Sequence, residues 1–150
     1  MADYKTGSYR VRIQRTINAP VSKAYAAWLE PQALNRWFTN KARVNPKVGG
    51  RYSNGDHDTG EFLELKPNRA VKFTWENPSA CPGTVVTVRF KSKGRGRCQL
   101  ELTHSKLGGP EQGLDEMTGG WSWALDSLKS WLETGKGIKH DDWMAQRKGG

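Results

Sequence analysis

The chain has 150 residues, a formal net charge of +9, seven tryptophans and only two cysteines. A length of this order suits one core that buries about two-thirds of the unfolded surface, and no apolar run approaches membrane-spanning length. Composition and the polar N-terminus MADYKTGSYRV point away from disulfide-stapled, exported and helix-inserted proteins, leaving one cytoplasmic domain over 1–150 with a core over about 9–135 and a polar tail over 136–150.

The segment SYRVRIQRTIN alternates with Tyr9, Val11, Ile13 and Ile17 on one face, the period of a half-buried strand. Arg15 interrupts that face, which predicts a bulge or a reach into a polar part of the interior. In APVSKAYAAWLEPQALNRWF, Val21, Ala24, Tyr25 and Trp28 recur at helical spacing, and Glu30-Pro31 divides the run into two short helices, the second ending at Trp37 and Phe38. Strands are then predicted near 41–48, 51–56, 60–66, 70–76, 84–93 and 96–104. Short turns (VGG, GDHDTG, KPN, NPSACPG, KGRG) make them antiparallel neighbours. Their apolar faces read Leu63 and Leu65; Val71, Phe73 and Trp75; Val86, Val88 and Phe90; Cys98, Leu100 and Leu102.

One buried sheet face needs a cover, and the only segment long enough is the last helix, from about Pro110 or Met117 to Thr134. Its stripe Trp121, Leu125, Leu128 and Leu132 faces the sheet, and Trp123 points away. Gly119 and Gly120 precede the stripe. At a cost of about 1 kcal/mol each inside a helix, they imply either that the regular helix starts near Thr118 or that something approaches the backbone there. Gly135 and Gly137 end the helix, and HDDWMAQRKGG is a docked turn or a loose tail.

This order, carried by NAPVSKAYAAWLEPQALNRWF, VGGRY, GEFLELKPNRAVKFTWENP, VTVRF, LELTHSKL and GGWSWALDSLKSWLETG, resembles the START-like (SRPBCC) superfamily. Within it the chain is most similar to the family of the activator of the heat-shock protein 90 ATPase, in that protein's C-terminal domain and its bacterial homologues. The resemblance implies an α+β helix-grip fold. A strongly curved antiparallel sheet wraps the long C-terminal helix, two short helices follow the first strand, and a cavity for an apolar or aromatic small molecule lies between sheet and helix. It implies no common catalytic motif or cofactor, and a fold of this kind leaves function open.

Candidate residues follow from these faces. Trp37, Phe38, Tyr52, Trp75, Trp121 and Leu125 are expected to line the cavity, because pockets are largely apolar and aromatic with a few convergent polar groups. His104 and Glu61 share the parity of inward residues and are the polar anchors, with Arg15 as the expected partner of Glu61. The same two residues are the acid or base candidates if the protein is an enzyme on a cyclic or polyketide-like substrate. Asp56, His57 and Asp58 in GDHDTGE read as turn chemistry and not as a metal site. Arg89, Lys91, Lys93, Arg95 and Arg97 form a basic hairpin, a protected sheet edge or a contact for a protein partner of a chaperone-associated module. Nucleic acid is not expected, since no stacking aromatics interleave with the bases.

Overall fold

The first strand, β1 (Tyr9–Ile17), is followed by two short helices, α1 (Val21–Ala26) and α2 (Pro31–Trp37). Six strands come next: β2 (Arg43–Val44), β3 (Arg51–Ser53), β4 (Thr59–Lys66), β5 (Ala70–Asn77), β6 (Ala80–Ser92) and β7 (Cys98–Leu107). Two helices close the chain, α3 (Glu111–Thr134) and α4 (His140–Gly149). The computed structural model describes residues 9–77, 80–107 and 111–149. The expected turn residues Pro78 and Ser79, the Cys81 side chain and the alternative helix start at Pro110 lie outside what is described.

All seven strands form one antiparallel sheet in the order β1-β7-β6-β5-β4-β3-β2, so the first strand pairs with the last. The helix-grip arrangement is present, with α3 held against the sheet. On β7 burial alternates from Cys98 to Ser105, and Leu100, Leu102 and His104 stand opposite Phe90, Val88 and Val86 on β6. Against this face α3 places Trp121, Ala124, Leu125 and Leu128, all buried. Each fully buried leucine contributes about 2–3 kcal/mol by area. Gly135, at φ +86°, ends α3 in the left-handed conformation, its N–H bonded to the Trp131 carbonyl.

Four expectations are corrected by register. Leu63 is 39% exposed whereas Phe62 is 2% exposed, because β4 carries an extra residue between Phe62 and Glu64. A bulge reverses parity, so Leu65 returns to the face of its partner Val71 while Leu63 is turned outward. Tyr9 is also exposed, since the β1–β7 register shifts between Tyr9 and Val11. Arg15 sits in regular pairing opposite Leu100 and causes no bulge; its Nε donates to Asp126 Oδ1 on α3 at 2.8 Å. Finally, β6 starts at Ala80 and not at residue 84, so most of the expected NPSACPG loop is strand.

The C-terminal segment is a docked helix. Trp143 on α4 is buried, and its Nε1 donates to Asp126 Oδ2 at 2.9 Å. One carboxylate thereby ties β1, α3 and α4 together. Among the described residues, no helix is long and apolar enough to cross a membrane.

Candidate functional site: an aromatic cavity at the mouth of the grip

Rings from six places in the chain meet at one end of the sheet. Trp28 follows α1, Trp37 and Phe38 end α2, Tyr52 comes from β3, Phe62, Phe73 and Trp75 from β4 and β5, and Trp121 from α3. Ser127 fixes this end of α2 against α3: its buried hydroxyl donates to the Trp37 carbonyl at 2.6 Å and accepts the Ile138 N–H at 2.9 Å. Phe38 then stacks on Trp121, with centroids 5.8 Å apart and planes 7° from parallel. Trp75 meets Trp121 edge-on at 5.1 Å, and Trp28 meets Trp37 edge-on at 4.9 Å. Such offset and edge contacts satisfy the ring quadrupoles and add to area burial.

Glycine shapes the β3–β4 side. A Cβ at Gly60 would stand 2.6 Å from the Tyr52 ring and 2.0 Å from the Thr74 carbonyl oxygen. Its absence lets Tyr52 lie flat across β4 and donate its hydroxyl to Thr74 O at 2.6 Å. Burial, with the nearby carboxylates of Asp58 and Glu76 adding to it, pushes the Tyr52 phenol well above its ordinary range, so the group stays protonated.

The rings border a partly open cavity of about 30 Å³, lined mainly by Trp28, Phe38, Tyr52, Phe62, Trp75 and Trp121. Sites for small molecules hold roughly ten times that volume or more, so the interior beside Trp121 is almost filled. Phe38, Trp75 and Trp121 also form the wall of an open cleft of about 250 Å³, whose other sides are Met117, Gly120, Trp123, Asp56, Asp58 and His140. The same three rings thus stand between a small, more sheltered space and a larger, more open one.

Both explanations expected for the paired glycines fail. The helix runs from Glu111, so Gly119 and Gly120 lie inside it, and among the described residues a Cβ at either position would meet nothing within 4 Å. Gly120 borders the open cleft. Trp123 departs from expectation as well. It stacks on Phe38 at 6.1 Å and donates its Nε1 to the Ile138 carbonyl at 2.7 Å, which joins it to the aromatic group through Phe38.

The site residues expected from the sequence divide. Phe38, Tyr52, Trp75 and Trp121 line the cavity. Trp37 lies behind Trp28, fully packed, with its Nε1 donating to the Ala27 carbonyl at 3.1 Å. Leu125 is buried core, one turn deeper along α3 than the cavity. Glu61 is between the inward residues Gly60 and Phe62 and opposite Arg51, on the outer face of the sheet. Its inward parity is undone by the β4 bulge, and its expected partner Arg15 is bonded to Asp126 instead.

His104 does face inward, and it is 0% exposed. Its Nδ1 accepts the Trp121 Nε1–H at 3.0 Å, which leaves the ring proton on Nε2, 2.7 Å from Thr84 Oγ1. Thr84 in turn donates to the Trp75 carbonyl at 3.0 Å. Burial lowers the His104 pKa to about 4, so the imidazole is neutral near pH 7. Both nitrogens are engaged in orienting the rings, and the side chain lines neither the cavity nor the cleft. Sequence reasoning missed Trp28, visible only as one of four residues at helical spacing, and Phe62, hidden by the bulge.

Asp56 and Asp58 are bound up in their turn, as expected for GDHDTG. Asn54 Oδ1 accepts both of their backbone N–H groups, and Thr39 donates to Asp56 Oδ2 at 2.6 Å. The five hairpin bases Arg89, Lys91, Lys93, Arg95 and Arg97 are all exposed. At strand rise, the hairpin tip stands roughly 30 Å from the cavity.

Residues 18–133 match the family model described as Activator of Hsp90 ATPase homolog 1-like protein. The chain belongs to that family. Among solved structures, this member of the Activator of Hsp90 ATPase homolog 1-like family is similar to the Aha1 dimer from Colwellia psychrerythraea, with 25% identity and a TM-score of 0.77 over 86% of this chain and 99% of that one. CalU16 from Micromonospora echinospora gives 25% identity and a TM-score of 0.75 over 99% of this chain and 93% of that one. The HSP90 activator PFC0360w from Plasmodium falciparum shares the fold, at 24% identity and a TM-score of 0.74 over 85% of this chain and 97% of that one. No curated protein matches this family member in sequence.

Proposed function

We propose that this family member binds a neutral apolar or aromatic small molecule at the mouth of the grip, in the cytoplasm and without chemistry of its own. The observation that carries this reading is the partition of Phe38, Trp75 and Trp121, one layer of rings bordering both a small apolar cavity and a larger open cleft. Phe38 is only half-buried and sits at the end of a seven-residue helix, outside its regular backbone conformation. Displacing that ring joins the two spaces into a site of ordinary ligand size.

The test is a titration of tryptophan fluorescence with lipids and aromatic metabolites, paired with Phe38→Ala. A ligand should perturb the emission of the wild type, and Phe38→Ala, with the partition opened, should bind faster. If no compound of either class changes the emission or the NMR spectrum of either protein, the reading is wrong.

A second reading has its own support in the exposed bases of the β6–β7 hairpin and in the family's link to a chaperone ATPase. An acidic face on a larger protein would then be held by Arg95 and Arg97, with a strong salt dependence. Pull-downs with the cognate chaperone at low salt, repeated with Arg95→Glu and Arg97→Glu, decide it: no capture by the wild type rules this partner out.

A further inference from the structure

Trp28 carries the one buried side-chain nitrogen or oxygen without a hydrogen-bond partner among the described residues. The residue is 5% exposed, and its indole lines the cavity. The contrast with its neighbours is informative. Trp37 donates to a backbone carbonyl, Trp121 to His104, Trp123 to Ile138 O and Trp143 to Asp126. A buried N–H left without an acceptor is costly, and native proteins leave few of them.

The remainder of the lining says what kind of acceptor fits. No charged side chain borders the cavity, the carboxylates of Asp56 and Asp58 standing on the cleft side of the rings, so an ionised group entering the cavity would be desolvated there without a counter-charge. Of the other polar groups, the Tyr52 hydroxyl donates to Thr74 O, the Thr39 hydroxyl to Asp56, and the Asn54 amide to Asp58, while Ser53 is exposed at the rim, where water serves its hydroxyl. The Trp28 N–H is therefore the buried donor left to read a ligand's polarity.

We infer that Trp28 Nε1–H is the recognition donor of this site, and that the ligand is a neutral planar molecule carrying one hydrogen-bond acceptor, such as an aryl ketone. This rests on the cavity reading above and adds the chemical class. A site with one unpaired donor discriminates against an isostere lacking the acceptor by the worth of that hydrogen bond, about three- to tenfold.

The experiment uses two probes of the same shape, 2-acetylnaphthalene and 2-isopropenylnaphthalene, which differ in a carbonyl oxygen against a methylene. Each is titrated into the full chain, isotopically labelled so that the indole N–H signals are followed by NMR, and into Trp28→Phe. The ketone should bind about three- to tenfold more tightly to the wild type and move the Trp28 N–H resonance downfield, and Trp28→Phe should bind both probes alike. Equal affinity of the two probes for the wild type, a preference that survives in Trp28→Phe, or a Trp28 resonance unmoved by the ketone overturns the inference and leaves the cavity standing. Should Trp28→Phe not fold, the matched pair and the wild-type resonance decide alone. If neither probe binds, the cavity reading falls and this inference with it.

Discussion

Acidification from pH 7 to pH 4 should cost this fold about 3 kcal/mol through His104 alone. Burial holds its pKa near 4 in the folded state against an ordinary value of 6.5, so the unfolded chain takes up a proton that the folded chain refuses. Where the unfolded state binds more protons, stability rises with pH. The contribution is therefore complete above pH 6.5 and is lost as pH falls toward 4. The difference of the two values, at 1.36 kcal/mol per unit, sets the size. Structurally the loss follows from both ring nitrogens being committed. A proton on Nδ1 faces the Trp121 N–H, donor against donor, in a place without water. Urea unfolding of the wild type and of His104→Gln between pH 7.5 and 4 measures it. The variant removes the titration while leaving an amide to bond Thr84, and costs about 1–3 kcal/mol at pH 7 because the Trp121 N–H loses its acceptor. The two stabilities should converge toward pH 4. The carboxyls of Glu101 and Glu133, held below their usual range by hydrogen bonds from Gln14 and Asn18, titrate alike in both proteins and cancel. Parallel pH profiles would refute the argument.

Ala at Gly119 or Gly120 should stabilise the protein by about 1 kcal/mol each, since both lie inside α3 with open space around the added methyl; thermal unfolding reads this as a rise of about 2–4 °C. Of the two, only Gly120→Ala should weaken ligand binding, because only Gly120 borders the cleft. Leu125→Ala should destabilise by about 2–5 kcal/mol and leave the affinity of the folded protein unchanged, the residue being core and not lining. Asp126→Ala removes the acceptor shared by Arg15 and Trp143 and should release α4, seen as faster amide hydrogen exchange over residues 140–149 than over α3.

Fold and site differed in how far pattern could reach. The succession of elements along the chain, the two short helices and the covering role of α3 follow from period, turn residues and the need to cover one apolar face, and these survive small errors of boundary. Side-chain facing on a strand does not survive them. Parity propagated backward from Leu65 is right until the extra residue in β4 and wrong beyond it, which turned Leu63 and Glu61 inward on paper and concealed Phe62. Nothing in FLEL marks a bulge, since its cause is pairing with β5 and not local composition. The same limit hid Arg15. Its interruption of an apolar face was plain, but the answering charge lies on α3, 111 residues away.

The glycines carry the last step. Large rings in a sequence announce burial and cannot say whether space is left beside them, because an aromatic core and an aromatic pocket have the same composition. Here the space beside Trp121 amounts to about 30 Å³, close to a filled core. Two features do not belong to a filled core. Gly119 and Gly120 interrupt a helix in which no packing partner requires them, and Trp28 leaves a buried donor unpaired. Both lower stability, by about 1 kcal/mol for each glycine and about 1–3 kcal/mol for the orphan N–H, and neither is offset by any contact among the described residues. They fall on the two sides of one layer of rings, Gly120 at the open cleft and Trp28 at the small apolar cavity. Stability given up on both faces of a movable partition is what a binding site requires before it is occupied. If Gly120→Ala and Trp28→Phe both stabilised the protein and neither altered the binding of any probe, the two features would be defects of packing and the partition an ordinary core.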